Sequence, residues 1–241
     1  MKRLLALVLL FSCSGLAQSS SAPGASQNAA PFALDHFYMV LMRRAPSAPS
    51  DEDKVKSLWA SDTAYWQQIA SRGDLILGGP ILEMPESIDA AMIYRASDAA
   101  AAAQIAQHDP LVAAHLWSAE VHPWLTKKDY LKPQHTYYGR SKTYYLGLLL
   151  RGPKFSPEDS PERQKIQEGH MANIKRLSDM GKLVVAGPFE EDGNLRGIFV
   201  FRTATMQEAL DLTNTDPAVQ AGRLRVELHP WDLPADAFAE N

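Results

Sequence analysis

The sequence predicts an α+β fold in which two ferredoxin-like β-α-β-β-α-β repeats pack as an intrachain, pseudo-dimeric α+β barrel. Short motifs recur in the same order along the chain at a nearly constant offset. Each copy also carries strand patterns and helix patterns in the order β-α-β-β-α-β. Because a small sheet with helices on one side leaves its other face uncovered, we expect the two sheets to pack face to face.

The repeat is defined by motifs whose spacing hardly changes. An ungapped alignment at an offset of 108 positions places Phe37 opposite Tyr145, and Gly79-Pro80 opposite Gly187-Pro188. One residue then drops out, and an offset of 107 joins three further pairs: Arg95 with Arg202, Asp109-Pro110 with Asp216-Pro217, and His122-Pro123-Trp124 with His229-Pro230-Trp231. Such an ordered series indicates an internal duplication.

Each repeat opens with a strand and a long helix. The strands are predicted from two continuous apolar runs, Phe37 to Met42 and Tyr144 to Leu150. In the second copy we expect Ser160 to cap the helix, Pro161 to fit its first turn and Glu162 to complement its dipole. A glycine is placed to end each helix; these glycines are Gly73 and Gly181.

Two short strands, a second helix and a final strand complete each repeat. The short strands are Leu75 to Gly78 and Met92 to Arg95 in the first copy, and Leu183 to Ala186 and Ile198 to Arg202 in the second. The turn Glu191-Asp192-Gly193-Asn194 predicts a hairpin. Thr205 with Glu208 predicts a capping box, whereas the first copy has Ser97 before a run of alanines. The last strand ends in His-Pro-Trp.

The N-terminus is typical of an export signal. Lys2 and Arg3 precede an apolar run, Leu4 to Phe11, that is too short to span a bilayer. Cleavage after Ala17 would give a periplasmic or secreted protein. An alternative is a lipid-anchored envelope protein, because Leu10-Phe11-Ser12-Cys13 is similar to a lipobox and Cys13 is the chain's only cysteine.

Composition and repeats divide the chain into six segments. They are a signal peptide at 1–17, a flexible linker at 18–34, repeat 1 at 35–125, a connector at 126–142, repeat 2 at 143–233 and a tail at 234–241. The linker is inferred from its Ser, Ala, Gly and Pro content and its lack of periodicity.

The charge and motif content exclude several classes of partner. The formal net charge is −4, and removing Lys2 and Arg3 with the signal takes it to −6. A nucleic-acid partner is therefore not expected, nor is docking on anionic lipid by charge; membrane attachment is expected only through Cys13. The sequence contains no HExxH-like metal spacing, phosphate-binding glycine loop or nucleophile elbow, so we expect no metal and no cofactor.

The first helix of each repeat carries a polar residue inside an apolar stripe. In the second copy His170 lies in line with Ile166 and Ile174, and in the first copy Asp62 occupies the corresponding position. A buried polar residue needs a partner or lines a cavity. Two interpretations of His170 stay open, a structural histidine and a proton-transfer group.

Other candidates have strong structural explanations. Asp109 and Asp216 each precede a proline, which is typical of a helix cap, although a capping carboxylate can also accept a hydrogen bond from an imidazole. Arg202, like Arg95 in the first copy, is a candidate for binding an anionic substrate or is simply solvated. His122 and His229 are explained by strand packing, and His108 by a surface position.

These features together resemble the YCII-related domain family: the Gly-Pro after the second strand, the Asp-Pro after the second helix, a helix-borne histidine and a closing Pro-Trp. Each of the two repeats shows this resemblance, and together the repeats make up most of the mature chain. The resemblance implies a ferredoxin-like fold that pairs into an α+β barrel, with an active-site His–Asp pair that falls on His170 and Asp216. Repeat 1 matches at Asp109 but departs at Asp62, so its site is expected to be degenerate.

Two functions of different classes follow. The first is a cofactor-independent lyase-like or isomerase-like enzyme, in which His170 acts as general acid or base, Asp216 orients it, and a small organic molecule lies in the barrel. The second is a non-catalytic module of the cell envelope that binds a small ligand or serves a structural role. The sequence leaves open whether the protein is an enzyme.

Overall fold

The computed structural model describes residues 34–45, 52–82, 88–127, 130–131 and 140–238. Repeat 1 consists of β1 (Leu34–Arg44), α1 (Glu52–Ser71), β2 (Leu75–Pro80), β3 (Ala90–Tyr94), α2 (Ala99–Gln107), α3 (Pro110–Ala113) and β4 (Trp117–Lys127). Repeat 2 consists of β5 (Ser141–Arg151), α4 (Pro161–Asp179), β6 (Leu183–Pro188), β7 (Leu195–Phe201), α5 (Met206–Thr213), α6 (Pro217–Gln220) and β8 (Leu224–Pro234).

Each repeat forms one four-stranded antiparallel sheet with the same strand order. The orders are β2-β3-β1-β4 and β6-β7-β5-β8. The predicted β-α-β-β-α-β order is confirmed in both, with one addition: the Asp-Pro motifs start the short helices α3 and α6.

Two seams join the sheets into a closed barrel. At one seam Ile81 bridges Trp231, and the Leu82 amide donates to the Pro230 carbonyl at 2.8 Å. At the other, Trp124 bridges Phe189, the residue directly after β6. Because both edges of each sheet meet the other repeat, the predicted pseudo-dimeric barrel is confirmed.

The apolar side chains separate into three layers because strand residues alternate between the two faces of a sheet. The barrel interior takes side chains from both repeats, including Leu146, Ile198 and Val200. The intervening Phe199 and Phe201 point the other way and pack under the helices of repeat 2. A third cluster lies under the helices of repeat 1. The helices therefore lie outside the barrel.

The ungapped alignment of the two repeats is wrong in the first strand. Phe37 pairs with Trp124, whereas Tyr144, not Tyr145, pairs with Trp231. The true offset between the two repeats in this strand is 107 positions. An offset of 108 applies only from the long helix to the Gly-Pro motif. Repeat 2 therefore has one extra residue between β5 and α4. A shift of one residue reverses the face of a strand, which is why Tyr145 packs outside the barrel while Phe37 packs inside.

The predicted helix ends hold with one exception. The Ser160 side chain accepts from the Arg163 amide at 3.1 Å, and Thr205 accepts from the Glu208 amide at 3.1 Å. Gly73 and Gly181 have φ angles of 82° and 66° just past their helices, the conformation that favours glycine there. In α2, however, the cap is Asp98 rather than Ser97, because its carboxylate reaches the Ala101 amide at 2.8 Å.

The export signal, Cys13 and the linker up to residue 33 lie outside the described residues, whereas Leu34 already belongs to β1; export and lipid attachment stay predictions. Among the helices of the described residues, none combines the length and apolarity needed to cross a bilayer. Within the same ranges, no group of His, Cys, Asp and Glu side chains is arranged to hold a metal ion.

The β4–β6 seam generates the first prediction. A methyl group at Gly187 would lie 1.8 Å from the Leu125 carbonyl oxygen, a backbone atom that cannot move aside without opening the seam. We expect Gly187→Ala to lower the free energy of unfolding by about 1–3 kcal/mol, measured by urea denaturation. Gly193→Ala is the matched control, since the nearest atom there is 3.8 Å away. Equal stability of the two variants would contradict this packing.

Candidate functional site

The structure places His170 beside Asp216. His170 lies near the middle of α4, and Asp216 is the N-cap of α6. The Nδ1 atom of the imidazole is 2.8 Å from Asp216 Oδ2 and 3.0 Å from Oδ1. Residues 46 positions apart in sequence are therefore in direct hydrogen-bond contact.

Asp216 is a helix cap and an imidazole partner at the same time. Its Oδ1 accepts from the Ala218 amide at 2.8 Å, which is the capping bond, and its side chain is fully buried. The Asn173 side-chain amide approaches Oδ2 at 3.5 Å. Because the capping amide, His170 and Asn173 all point donors at it, the buried carboxylate is well compensated.

A polar network behind the pair holds Asn173 in place. Arg176 donates to Asn173 Oδ1 at 2.7 Å and to the Thr215 hydroxyl oxygen at 2.8 Å, and the Thr215 hydroxyl donates its hydrogen to the Leu212 carbonyl at 2.6 Å. Because the Arg176 guanidinium donates to its oxygen, the amide turns its NH₂ group toward Asp216. Sequence reasoning missed these three residues. The available signal was spacing, since Asn173 and Arg176 follow His170 at successive intervals of three on one helix.

The second ring nitrogen of His170 has no such partner. Within the described residues no hydrogen bond reaches Nε2, and this atom is not one of the buried ring nitrogens. The side chain keeps 12% of its surface exposed. Nδ1 therefore binds the carboxylate while Nε2 faces solvent.

The pair lies outside the barrel rather than within it. The imidazole stacks on the ring of Phe199 at a centroid distance of 5.9 Å and an angle of 23°, and Phe199 belongs to the layer under the helices. Gly169 lets α4 and α6 approach closely here, because a methyl group at this position would lie 3.0 Å from Pro217. The expectation that the barrel interior holds a substrate of His170 is wrong, since the interior faces the other side of the sheet.

Repeat 1 places two carboxyl groups where repeat 2 has its His–Asp pair. Asp62 and Asp109 are both buried and share a side-chain hydrogen bond. Burial, together with the negative charge of Asp109, raises the pKa of Asp62 to about 9. Asp109 also accepts from the Trp66 indole at 2.8 Å and from the Leu111 amide at 2.9 Å. Asp62 is therefore a neutral acid near pH 7, and the site has no imidazole.

The remaining sequence candidates lie elsewhere. His108 is exposed and its ring bonds the Gln104 carbonyl within its own helix. His122 pairs with Glu191. The buried His229 has two ring nitrogens without hydrogen-bond partners among the described residues, and burial lowers its pKa. Arg202 is not among the contacts that His170 and Asp216 make, so its role in substrate binding stays a prediction.

A family model of the YCII-related domain matches the chain twice, at residues 36–125 and 148–232. The chain belongs to the YCII-related domain family. One relative is the uncharacterized protein YjpA of Bacillus subtilis (strain 168), which is 28% identical over 89 residues, 37% of this chain and 94% of YjpA. That relative has the length of a single repeat, so the tandem arrangement is a property of this YCII-related chain.

Solved structures share the tandem barrel fold. A chlorite dismutase of Candidatus Nitrospira defluvii has a TM-score of 0.55 and 11% identity, covering 85% of this chain and 92% of that one. A heme-binding protein from Thermus thermophilus has a TM-score of 0.51 and 12% identity, covering 86% and 95%. At such identity the likeness concerns the fold alone, and the chemistry in those names belongs to those proteins.

The carboxyl pair of the first YCII-related repeat generates a pH-dependence prediction. The folded pKa of Asp62, about 9, lies above its ordinary value of 3.8, so the folded state holds a proton that the unfolded state releases between these values. The free energy of unfolding should therefore fall as pH rises across that window, at most by about 1.4 kcal/mol per pH unit, and level off above pH 9.

Asp62→Asn keeps the neutral shape of the protonated acid and should remove this slope, stabilising the protein at pH 7–9 in urea denaturation. The control is Asp211→Asn, at an exposed position of α5. Parallel pH profiles for wild type and Asp62→Asn would show that Asp62 carries no proton in the folded state.

Proposed function

We propose that the protein is a cofactor-independent acid/base enzyme of the lyase or isomerase type, in which His170 exchanges a proton with a small organic molecule at Nε2. The proposal rests on one observation above all: the Nδ1 atom of His170 is held by the buried Asp216, while Nε2 faces solvent. Family membership is in keeping with this arrangement.

The hydrogen bond to Asp216 determines which imidazole nitrogen carries the proton. A carboxylate can only accept, so the neutral ring must donate its hydrogen from Nδ1 and keep its lone pair on Nε2. That lone pair can take a proton from a substrate carbon or oxygen, and the resulting imidazolium is stabilised by the adjacent carboxylate. The same nitrogen can then return the proton to another atom of the substrate or to a leaving group.

The surroundings of the pair suit repeated proton transfer. The imidazole is held on one side by the Phe199 ring and at Nδ1 by Asp216, so it keeps one orientation. The Asn173 side-chain amide donates to the carboxylate, and Arg176 holds that amide in place. A preorganised base of this kind contributes typically about 10²–10⁴-fold to the rate of a proton-transfer step.

A second candidate is a module that binds a ligand or serves a structural role without catalysis. The observation in its favour is repeat 1, where Asp62 and Asp109 keep the buried polar contact but supply no imidazole base. If that contact is maintained only to join helices, then His170 and Asp216 could serve the same purpose in repeat 2. The experiments below separate the two functions.

The tautomer of His170 tests the proposed arrangement directly. In ¹⁵N-edited NMR of the neutral imidazole, we expect wild-type protein to show the Nδ1–H form. Asp216→Asn should shift His170 toward the Nε2–H form, because the asparagine can present its NH₂ group as a donor to Nδ1. His36 serves as an internal reference, since it lies far along the sequence and bonds Glu190. An unchanged tautomer in Asp216→Asn would remove Asp216 as the orienting group.

Catalysis can be tested before the substrate is known. Wild-type protein should speed the incorporation of solvent deuterium into some member of a panel of small carbon acids, followed by ¹H NMR. His170→Gln should lower that rate by about 10²–10⁴-fold while the unfolding free energy changes little. His36→Gln, which removes an exposed imidazole outside the site, should leave the rate unchanged. Equal rates in wild type and His170→Gln would favour the non-catalytic module.

A further inference from the structure

A groove opens on the helical side of repeat 1. It has a volume of about 560 Å³ and lies between the last turns of α1, the start of β2, the end of β3 and one face of α2. Polar side chains line it, including Gln68 of α1, Arg72 directly after α1, Ser97 after β3 and Gln104 of α2. This groove lies apart from the His170–Asp216 pair, which belongs to the other repeat.

Two side-chain bridges occupy the equivalent place in repeat 2. Lys182, at the start of β6, binds Glu208 of α5 at 2.6 Å. Arg176 of α4 binds the Thr215 hydroxyl at 2.8 Å. Together these bridges tie the long helix, the sheet edge and the second helix to one another across the space that is open in repeat 1.

The repeat 1 counterparts of all four bridging residues line the groove. At offsets of 108 and 107, Lys182 and Glu208 correspond to Asp74 and Ala101, and Arg176 and Thr215 correspond to Gln68 and His108. Ala101 is too short to reach Asp74, and His108 turns its Nδ1 to the Gln104 carbonyl of its own helix. Neither bridge of repeat 2 can therefore form across the groove of repeat 1.

The guanidinium of Arg72 favours an anionic group on the ligand. Arg72 supplies the cationic group of the lining, beside the carboxylate of Asp74. Asp74 binds Arg72 through Nε at 3.0 Å, and in the described chain no other hydrogen bond is made by that guanidinium. Its Nη groups can thus bind a carboxylate, the planar anion that arginine matches best. The guanidinium of Arg95 does not add to this charge, because it lies 5.6 Å above the ring of Phe37, which packs inside the barrel.

We propose that repeat 1 binds a small carboxylate-bearing molecule in this groove, with Arg72 as the principal anchor. Gln68, Gln104 and Ser97 supply donors and acceptors for hydroxyl or amide groups on the same ligand. The proposal does not depend on catalysis at His170. The proposal gives a binding role to repeat 1, whose carboxyl pair lacks an imidazole. In repeat 2 the two side-chain bridges span the equivalent place.

Citrate, which combines carboxylates with a hydroxyl group, is the probe. Titrated into ¹⁵N-labelled full-length protein at constant ionic strength, it should produce saturable shifts of the Ser97 and Gln104 amides, with a Kd on the order of 1 mM. Arg72→Met should weaken binding at least about tenfold, the loss expected for one charge-assisted contact. The control Lys175→Met removes an exposed cation of α4 and should leave the Kd unchanged.

A closing variant tests the geometry. Asp74→Lys with Ala101→Glu transfers the Lys182–Glu208 bridge of repeat 2 to repeat 1 and should abolish the citrate shifts. This double change makes the groove more positive, so a loss of positive charge cannot explain a loss of binding. Ala101→Gln, which leaves the Arg72–Asp74 pair intact, separates closure of the groove from a displaced Arg72. If the double variant does not fold, as judged by its thermal unfolding, Ala101→Gln fills the same space without new charge and should weaken binding in the same way.

Three results would overturn the proposal. The first is the absence of saturable shifts with citrate about tenfold above the expected Kd. The second is unchanged affinity in a folded closing variant. The third is a set of shifts centred on α4 and α6, which would place the anion at the His170–Asp216 pair instead.

Discussion

Each sheet of this protein has one apolar face that only the other sheet can cover, and the rest of the structure depends on that constraint. The interior cluster draws large side chains from both repeats, among them Trp124, Trp231 and Tyr144. Full burial of one such side chain contributes roughly 1.5–3 kcal/mol, so a repeat that lost its partner would expose several of them. Duplication within one chain keeps the partner at hand without a second molecule.

Both seams that close the barrel contain a buried tryptophan, but the two indoles differ in their hydrogen bonds. At one seam the Trp231 indole donates to the carbonyls of Gly79 and Ala91, each at 3.2 Å. At the other, the Trp124 indole nitrogen is buried without a hydrogen-bond partner among the described residues. A buried unpaired donor carries a free-energy cost, so this seam relies more on close packing around Gly187. The pseudo-twofold symmetry is therefore a symmetry of backbone more than of side-chain interactions.

Closure of the barrel also decides where the two repeats are free to diverge. The inner faces must fit each other, whereas each helical layer packs only on its own sheet. Both repeats keep a buried aspartate as the cap of a short helix and supply it with a donor from the long helix. Repeat 2 uses His170, and repeat 1 uses the protonated Asp62 together with Trp66. The neutral imidazole keeps a lone pair on Nε2, which the carboxylic acid of repeat 1 does not supply.

The sequence by itself determined the duplication, the order of elements and the fold class, because these depend on local patterns and on motifs whose order survives divergence. It also singled out His170, Asp216, Asp62 and Asp109, since polar residues in an apolar stripe and before a proline stand out in one dimension. Only the tertiary structure decided that the paired residues touch, that they lie outside the barrel, and that Asn173 and Arg176 support them. It also corrected the first strand, where an alignment by similarity is one residue out and the paired tryptophans show the true register. The physical reason is common to these cases: contacts between distant segments and the face of a strand depend on register and packing, which no local pattern specifies.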